Sequence, residues 1–357
     1  MSISELRVHD LRNIASARFQ LHPRCNLIYG PNGSGKTSLL EAIYLLGSGH
    51  SFRTREISPL LAHGENALTV FARTTAEQTI SIQKSLSGVT QVKLNNQTCY
   101  SSSELARLLP CQIFYQDIFQ IIDAGPSVRR SLLDWGLFHV EQSYHTIWKE
   151  YRLVLKQRNA LLRKKAHPKE FVPWNHQMVT LGESLDSMRQ TYVDRWIPAF
   201  NERLFELTDF SCAFRYYKGW DRKESGLSLA TQLEEQFPQD IQRQYTHAGA
   251  HQADLLFEIS SKKAKLLLSR GQQKIVLIAL KLAQADLVAK DCLYLFDDII
   301  AELDMVHQVR LFDCLKQIKG QVFLTMTNNE WVNKLRETYD FNTYATEKGS
   351  FQRIDPL

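Results

Sequence analysis

The stretch GPNGSGKT, from Gly30 to Thr37, constrains this chain more than any other. It fits the pattern G-x-x-x-x-G-K-[ST] and follows an apolar run, Asn26–Tyr29, that a β-strand would supply. Gly30, Gly33 and Gly35 let the backbone curl until its N–H groups and the N-terminus of the next helix point at phosphate oxygens. Pro31, Asn32 and Ser34 complete the loop. Lys36 reaches toward the terminal phosphates, Thr37 offers a hydroxyl to Mg²⁺, and Ser38 stands beside it in the first helical turn. The motif therefore predicts a strand–loop–helix unit that holds a nucleoside triphosphate. Kinases, GTPases, transporters and DNA-repair ATPases all use one, so the rest of the chain must decide the class of machine.

At 357 residues there is room for two domains, or for one domain with a large insertion. The six cysteines are scattered without a C-x-x-C pair, which argues against a zinc site and a disulfide framework and favours a reducing cytoplasm. The start, MSISELRVHDLRN, lacks the apolar core of a signal peptide. The most apolar helical window, Ile275–Ala289, is interrupted by Lys281, Gln284 and Asp286, so no membrane span is expected. A net charge of +5 is too small to identify a partner by itself; its distribution matters more.

Short alternating segments flank the loop: Leu6 and Val8, Ala17–Leu21, then Ala67–Ala72, Thr79–Lys84 and Thr90–Leu94. With plausible turns at Ser87-Gly88 and Asn95-Asn96, they read as an antiparallel meander beside the P-loop. From Pro126 the period lengthens to three and four residues through Leu162, predicting two amphipathic helices. Pro168 and Pro173 break the pattern before a second helical tract, about Gln177 to Thr208. Two such tracts fit an antiparallel arm, and equally a helical subdomain packed on the head. Strands resume at Ser211–Tyr217 and Asp254–Ile259, with a helix over Ser225–Arg243 between them.

The stretch LYLFDDIIAELD, Leu293–Asp304, has the form of the second half of the nucleotide site, an apolar strand ending in acid. Asp297 would hold Mg²⁺ through water, and Asp298 could orient the attacking water. The catalytic set read here is Lys36, Asp297 and Asp298. Upstream, Ser269-Arg270-Gly271-Gln272 opens an apolar helix. A serine hydroxyl, a glycine and a helix N-terminus together make a second phosphate-binding surface. Two such surfaces are explained most simply if they serve one ATP from different subunits, in a head-to-tail pair about a two-fold axis. The order P-loop, Ser-x-Gly-Gln, acidic strand and then Leu303-Asp304 is that of an ABC-type ATPase.

With these motifs in place the sequence resembles the RecF family, bacterial ATPases of recombinational gap repair related to the heads of SMC proteins. The resemblance spans essentially the whole chain. It is carried by LRNI, NLIYGPNGSGKTSLLEAIYLL, GHSFRT, GPSVRRSLLDWGLFH, EYRLVLKQRNALLR, GAHQADL, LSRGQQK and YLFDDIIAELD. It implies an α/β fold: an ABC-type, SMC-like P-loop head over residues 1–125 and 240–357, with an inserted helical arm over 126–239. It implies ATP and Mg²⁺ at Lys36, Thr37, Asp297 and Asp298, with Ser269, Gly271, Gln272 and Asp304 completing the site and Arg12 near the adenine. Partners implied are DNA, RecR, RecO and RecA-type proteins, and a homodimer formed on ATP.

The chain departs from the family pattern in places. Gly249-Ala250-His251-Gln252 lacks the family's proline and basic residue, which leaves a charge-based role at position 252 in doubt. Gln116-Asp117 stands where Pro-Glu is usual, making Gln116 a candidate Mg²⁺-sensing residue. Thr327 stands in for the switch histidine of transporters.

Basic residues gather in the first helical tract: Arg129, Arg130, Lys149, Arg152, Lys156, Arg158, Arg163, Lys164 and Lys165. They form a solvated helix face on composition alone, and a sequence-nonspecific DNA-phosphate surface if the resemblance holds. Arg129 and Arg130 are alternatively structural. The expectation is a cytoplasmic, ATP-dependent DNA-binding protein that dimerises on single/double-strand junctions, with slow DNA-stimulated hydrolysis, in DNA repair and replication. The rival is the ATPase subunit of an ABC transporter, which requires a membrane partner.

Overall fold

The computed structural model describes residues 2–99, 101–115, 121–222, 225–260, 262–299, 303–327 and 340–354. In chain order the first elements are β1 (Ile3–Leu11), β2 (Ile14–Gln20), β3 (Cys25–Tyr29), α1 (Lys36–Ser48), β4 (Ala67–Thr74), β5 (Thr79–Ser85), β6 (Thr90–Leu94), β7 (Gln97–Cys99), α2 (Ser102–Leu108) and β8 (Cys111–Phe114). There follow α3 (Pro126–Val140), α4 (Tyr144–Lys164), α5 (Val172–Leu207), β9 (Ala213–Tyr217), α6 (Leu229–Arg243), β10 (Asp254–Ile259), β11 (Lys262–Lys263) and α7 (Arg270–Asp286). The chain ends with β12 (Cys292–Phe296), α8 (Met305–Gln317), β13 (Gly320–Met326), β14 (Asn342–Glu347) and β15 (Ser350–Ile354).

Two compact units result, one of residues 1–118 with 289–357, the other of residues 119–288. In the first unit the expected meander is an antiparallel sheet in the order β2-β1-β4-β5-β6-β7. A second sheet, β15-β14-β3-β13-β12-β8, is parallel except for its edge hairpin β14–β15. Helix α1 packs between them, touching β1, β4 and β5 of one sheet and β8 and β13 of the other. That position explains its sequence. Leu39, Leu40, Ala42, Ile43, Leu45 and Leu46 are buried all round the helix, because neither side faces water.

The second unit is built on a helical hairpin. Among the contacts that link α4 to α5 are Tyr144 with Arg189, Tyr151 with Gly182, and Arg158 with Asn175. Each step climbs seven residues on one helix and descends seven on the other, so the helices are antiparallel, as the sequence pattern suggests. Gly182 lets the helices approach closely; a Cβ there would stand 2.6 Å from Leu229 Cδ2 and would make that side chain shift. The far half of α5 packs on α7, where Trp196 Nε1 donates to Leu280 O at 3.0 Å and Arg203 pairs with Asp286 at 2.7 Å. Gln284 Nε2 of α7 also donates to Leu132 O of α3 at 2.9 Å.

These contacts move a boundary. Residues 240–288, read from sequence as part of the head, cluster with the helical unit because α7 packs on α5 and β10 pairs with β9.

Several basic residues of the first helical tract are structural. Arg129 makes two bonds to Asp254, at 2.6 and 2.9 Å, and Arg130 donates to Ala253 O at 2.8 Å. Arg158 is 0% exposed, donating to Asp240 at 2.7 Å and to Thr246 at 2.6 Å. Asp240 also accepts the His247 backbone N–H at 3.0 Å. Replacing Asp240 with Ala strands a buried guanidinium, and the expected cost is about 3–5 kcal/mol. Urea unfolding measures it; a loss under about 1 kcal/mol would show that the pair contributes little.

Candidate nucleotide site

Strand β3 delivers the chain into the loop, where Gly30 N donates to Met326 O at 3.1 Å, tying the turn to β13. Gly33 and Gly35 take φ of +77° and +113°, values that L side chains rarely adopt. Gly35 caps α1 with no side-chain hydrogen bond, and the first helical turn carries no acid, so the helix's N–H groups are left for a ligand. Lys36 Nζ folds over the loop to donate to Gly30 O at 2.9 Å and Pro31 O at 3.3 Å, and lies 3.5 Å from Asp298 Oδ2. The Ser34 side-chain oxygen is buried and has no hydrogen-bond partner among the described residues.

The acidic end of β12 meets this loop. Thr37 Oγ1 lies 2.9 Å from both oxygens of Asp297. Burial pushes the Asp297 carboxyl above its usual range; the Thr37 hydrogen bond opposes this, the neighbouring Asp298 adds to it, and Thr325 and Lys36 oppose it. Asp298 sits at φ +51°, and its Oδ1 is buried without a partner among the described residues.

A residue that sequence reading missed organises the pair. Thr325 of β13 donates to Asp297 Oδ1 at 3.0 Å, and its hydroxyl accepts the Asp298 N–H at 2.9 Å. Thr327, expected to act as the switch residue, is exposed beyond the strand.

Arg12 joins the site from the two-residue turn between β1 and β2, at φ +53°. Glu41 of α1, 0% exposed, holds it through two bonds and is itself held by Ser51. Asn13, also unanticipated, donates to Gly33 O at 3.0 Å and accepts from Ser38 Oγ at 2.9 Å. Arg12, Asn13, Asn32, Lys36, Thr37, Arg53 and Asp298 share a cavity of about 400 Å³ with Gly33, Gly35 and Ser38. Arg53 belongs to the GHSFRT segment and adds a second guanidinium to the wall.

This arrangement fits a nucleoside triphosphate with Mg²⁺. The cavity offers left-handed glycines, an open helix N-terminus, the Lys36 ammonium and the Arg53 guanidinium for phosphate, with the Glu41-held Arg12 guanidinium in its wall. Thr37 Oγ1 and Asp297 are the hard oxygen donors that Mg²⁺ takes, and Asp298 Oδ1 is a further acceptor beside them. When bound, Mg²⁺ would neutralise charge on the phosphates.

Of the remaining candidates, Ser269, Gly271 and Gln272 belong to the second unit, and Asp304 to the first. Ser269 caps α7: its hydroxyl accepts Gln272 N–H at 3.3 Å, and Gln272 Oε1 accepts Ser269 N–H at 2.9 Å. The turn is solvent-facing, with open space around Gly271. Asp304 likewise caps α8, accepting from His307 N at 3.0 Å and lying 2.7 Å from its Nδ1. Those bonds hold its carboxyl below the usual range. Gln116 lies outside the described residues.

Comparison with known proteins agrees with this geometry. The RecF/RecN/SMC N terminal domain family matches residues 2–349. DNA replication and repair protein RecF of Azotobacter vinelandii is 38% identical over 353 residues, covering 96% of this chain and 95% of that protein.

The chain belongs to the RecF family.

RecF of Cellvibrio japonicus is also 38% identical, over 94% of this chain and 95% of that protein. Among solved structures, the recombination mediator protein RecF-ATP in the RecFOR pathway superposes with a TM-score of 0.84 at 23% identity, covering 99% of this chain and 98% of that one. An SmcHead bound to the C-winged helix domain of ScpA gives a TM-score of 0.61 at 17% identity, over 99% and 97% of the two chains. The RecF-family fold and its kinship with SMC heads are thus as the motifs imply. Among the described residues, no helix is long and apolar enough to cross a membrane.

Proposed function

We propose that this RecF-family chain is a cytoplasmic, ATP-gated DNA-binding protein of replication and recombinational gap repair. The observation that carries the reading is the convergence of Lys36, Thr37, Asp297 and Asp298 at the open N-terminus of α1. Lys36 and the loop amides bind phosphate, and Thr37 with Asp297 holds Mg²⁺. Asp298 orients the attacking water, and Thr325 fixes both acids.

The exposed Ser269 turn of α7, with Asp304, meets the nucleotide of a second copy, so ATP joins two chains and hydrolysis lets them part. Slow turnover suffices, because binding itself shifts the equilibrium. DNA phosphates meet Lys149, Arg152, Lys156, Arg163, Lys164 and Lys165, all exposed on α4 and its C-terminal cap, where Arg152 lies 4.7 Å over the Trp148 ring. RecR, RecO and RecA-type proteins are the partners in this reading, and single/double-strand junctions the DNA.

Hydrolysis measured with and without gapped duplex, across protein concentration, tests it. The expected result is stimulation by DNA and a second-order dependence on protein. In the same assay Asp298→Asn should bind ATP and remain dimeric while turnover falls at least 10²-fold, the scale of a lost catalytic base. Turnover indifferent to DNA and to concentration would overturn the reading.

A further inference from the structure

The antiparallel sheet of the first unit buries one face on α1 and leaves the other to solvent, and the register decides what that outer face carries. Arg18 lies opposite Arg7, Arg7 opposite Phe71, Phe71 opposite Ser81, Ser81 opposite Lys93, and Lys93 opposite Thr98. These six form one row across the whole sheet. The next rows place Ser16, His9, Thr69, Gln83 and Gln91 on one side, and Gln20, Glu5, Arg73 and Thr79 on the other.

Glu5 stands among these cations, nearly buried beneath the arginines. Arg7 Nη2 and Arg18 Nε both lie 2.8 Å from its Oε1, and Arg73 Nε lies 4.0 Å from its Oε2. One carboxylate cannot use the donors of three guanidinium groups. It fixes their positions and leaves most of their N–H groups facing water, with side-chain exposures of 42% for Arg7, 63% for Arg18 and 44% for Arg73.

We infer that this outer sheet face is a nucleic-acid backbone platform, a surface separate in sequence from the α4 stripe; the inference rests on the DNA-binding reading above. Charge complementarity selects the occupant. Four cations, Arg7, Arg18, Arg73 and Lys93, face one buried acid, Glu5, and one exposed acid, Glu77, which lies 3.3 Å from Arg73 Nη1 in the turn after β4; hydroxyl and amide side chains fill most of the positions between them. That is the donor set of phosphate and sugar contacts, which position a duplex without reading its sequence. At a strand spacing of about 4.8 Å, the row from Arg18 to Lys93 spans roughly 19 Å, enough to follow several nucleotides. A protein-binding patch would be expected to carry an apolar or aromatic centre. The one large apolar side chain in the row, Phe71, lies under Arg7, whose guanidinium carbon is 5.3 Å from the ring.

The test uses the full-length chain carrying Arg18→Gln and Lys93→Gln together. Both side chains are exposed, and Arg7 and Arg73 remain on Glu5, so folding and nucleotide binding should be unchanged. Fluorescence anisotropy with a labelled duplex and ATP, across salt concentrations, should show the slope of log affinity against log salt reduced by about 2 and binding weakened about 10-fold. The charge reversal Arg18→Glu with Lys93→Glu should weaken it further. Wild-type and variant slopes that coincide while wild type binds DNA would overturn this inference and leave the DNA-binding reading standing. Failure of the wild type to bind duplex would overturn both. Binding of polyglutamate that is lost in the variant, with duplex binding unchanged, would also overturn it by assigning the face to an acidic protein.

Discussion

Lys36→Met should abolish ATP-dependent DNA binding and lower nucleotide affinity at least 10²-fold. The ammonium is 4% exposed in side-chain terms and held by Gly30 O and Pro31 O, so it is already aimed over the loop. Hydrogen bonds to charged groups contribute about 1.5–3 kcal/mol each, and two of them to phosphate account for the loss. Methionine keeps much of the aliphatic stem, so packing beside the loop should survive. Two measurements separate binding from folding. Titration with a fluorescent ATP analogue reads affinity directly. Thermal unfolding reads linkage: nucleotide at 100 times its Kd stabilises a protein that binds it only when folded by about 2.7 kcal/mol. At the same nucleotide concentration the wild type should show that shift and the variant no more than about 0.4 kcal/mol, with equal stabilities in the absence of nucleotide. ATP-dependent DNA binding that survives the substitution would rule out the P-loop as the gate.

Most of that half-site is legible in the sequence because its determinants are local. The loop, its flanking strand and its helix occupy one continuous stretch, and Asp297 and Asp298 announce themselves as acids ending an apolar strand. Thr325 is not legible in this way. Residues 325 and 327 share a side of the strand by parity, so both are candidates for reaching the acids. The choice is made by the parallel pairing of Phe296 with Leu324, which brings residue 325 level with Asp297, while residue 327 lies past the sheet. The Arg12–Glu41 clamp is hidden for a similar reason, since a turn and a helix interior meet only once the meander folds over α1.

Arg158 shows the opposite case, a signal present but outweighed by composition. Read among its neighbours it is one more cation of a basic helix. Read at seven-residue steps it continues Tyr144 and Tyr151, two buried positions, and belongs to the hairpin seam. The same logic reassigns α7. Its all-round apolar sequence predicts burial, but only the contacts with α5 and α3 show which unit supplies the cover.

The proposed trans arrangement of the Ser269 turn carries the second large prediction. Ser269→Arg should leave each chain able to bind ATP, abolish ATP-dependent dimers, and reduce hydrolysis at least 10-fold with loss of its second-order dependence on protein. The substitution removes a cap, at about 1 kcal/mol, and puts a cation at a helix N-terminus, costing a few tenths more. Neither effect should unfold a unit in which α7 is buried from Ile275 to Ala285. Capping can be separated from phosphate recognition by two further substitutions. Ser269→Thr keeps a hydroxyl that both caps and donates, and should preserve dimers. Ser269→Asp keeps the cap but opposes phosphate with a carboxylate, and should lose them. If dimerisation instead follows the cap, surviving in Ser269→Asp as well as in Ser269→Thr, the turn is a structural helix start. Analytical ultracentrifugation with ATP decides between the two, and Ser269→Arg dimers with undiminished turnover would place both halves of the catalytic site in a single chain.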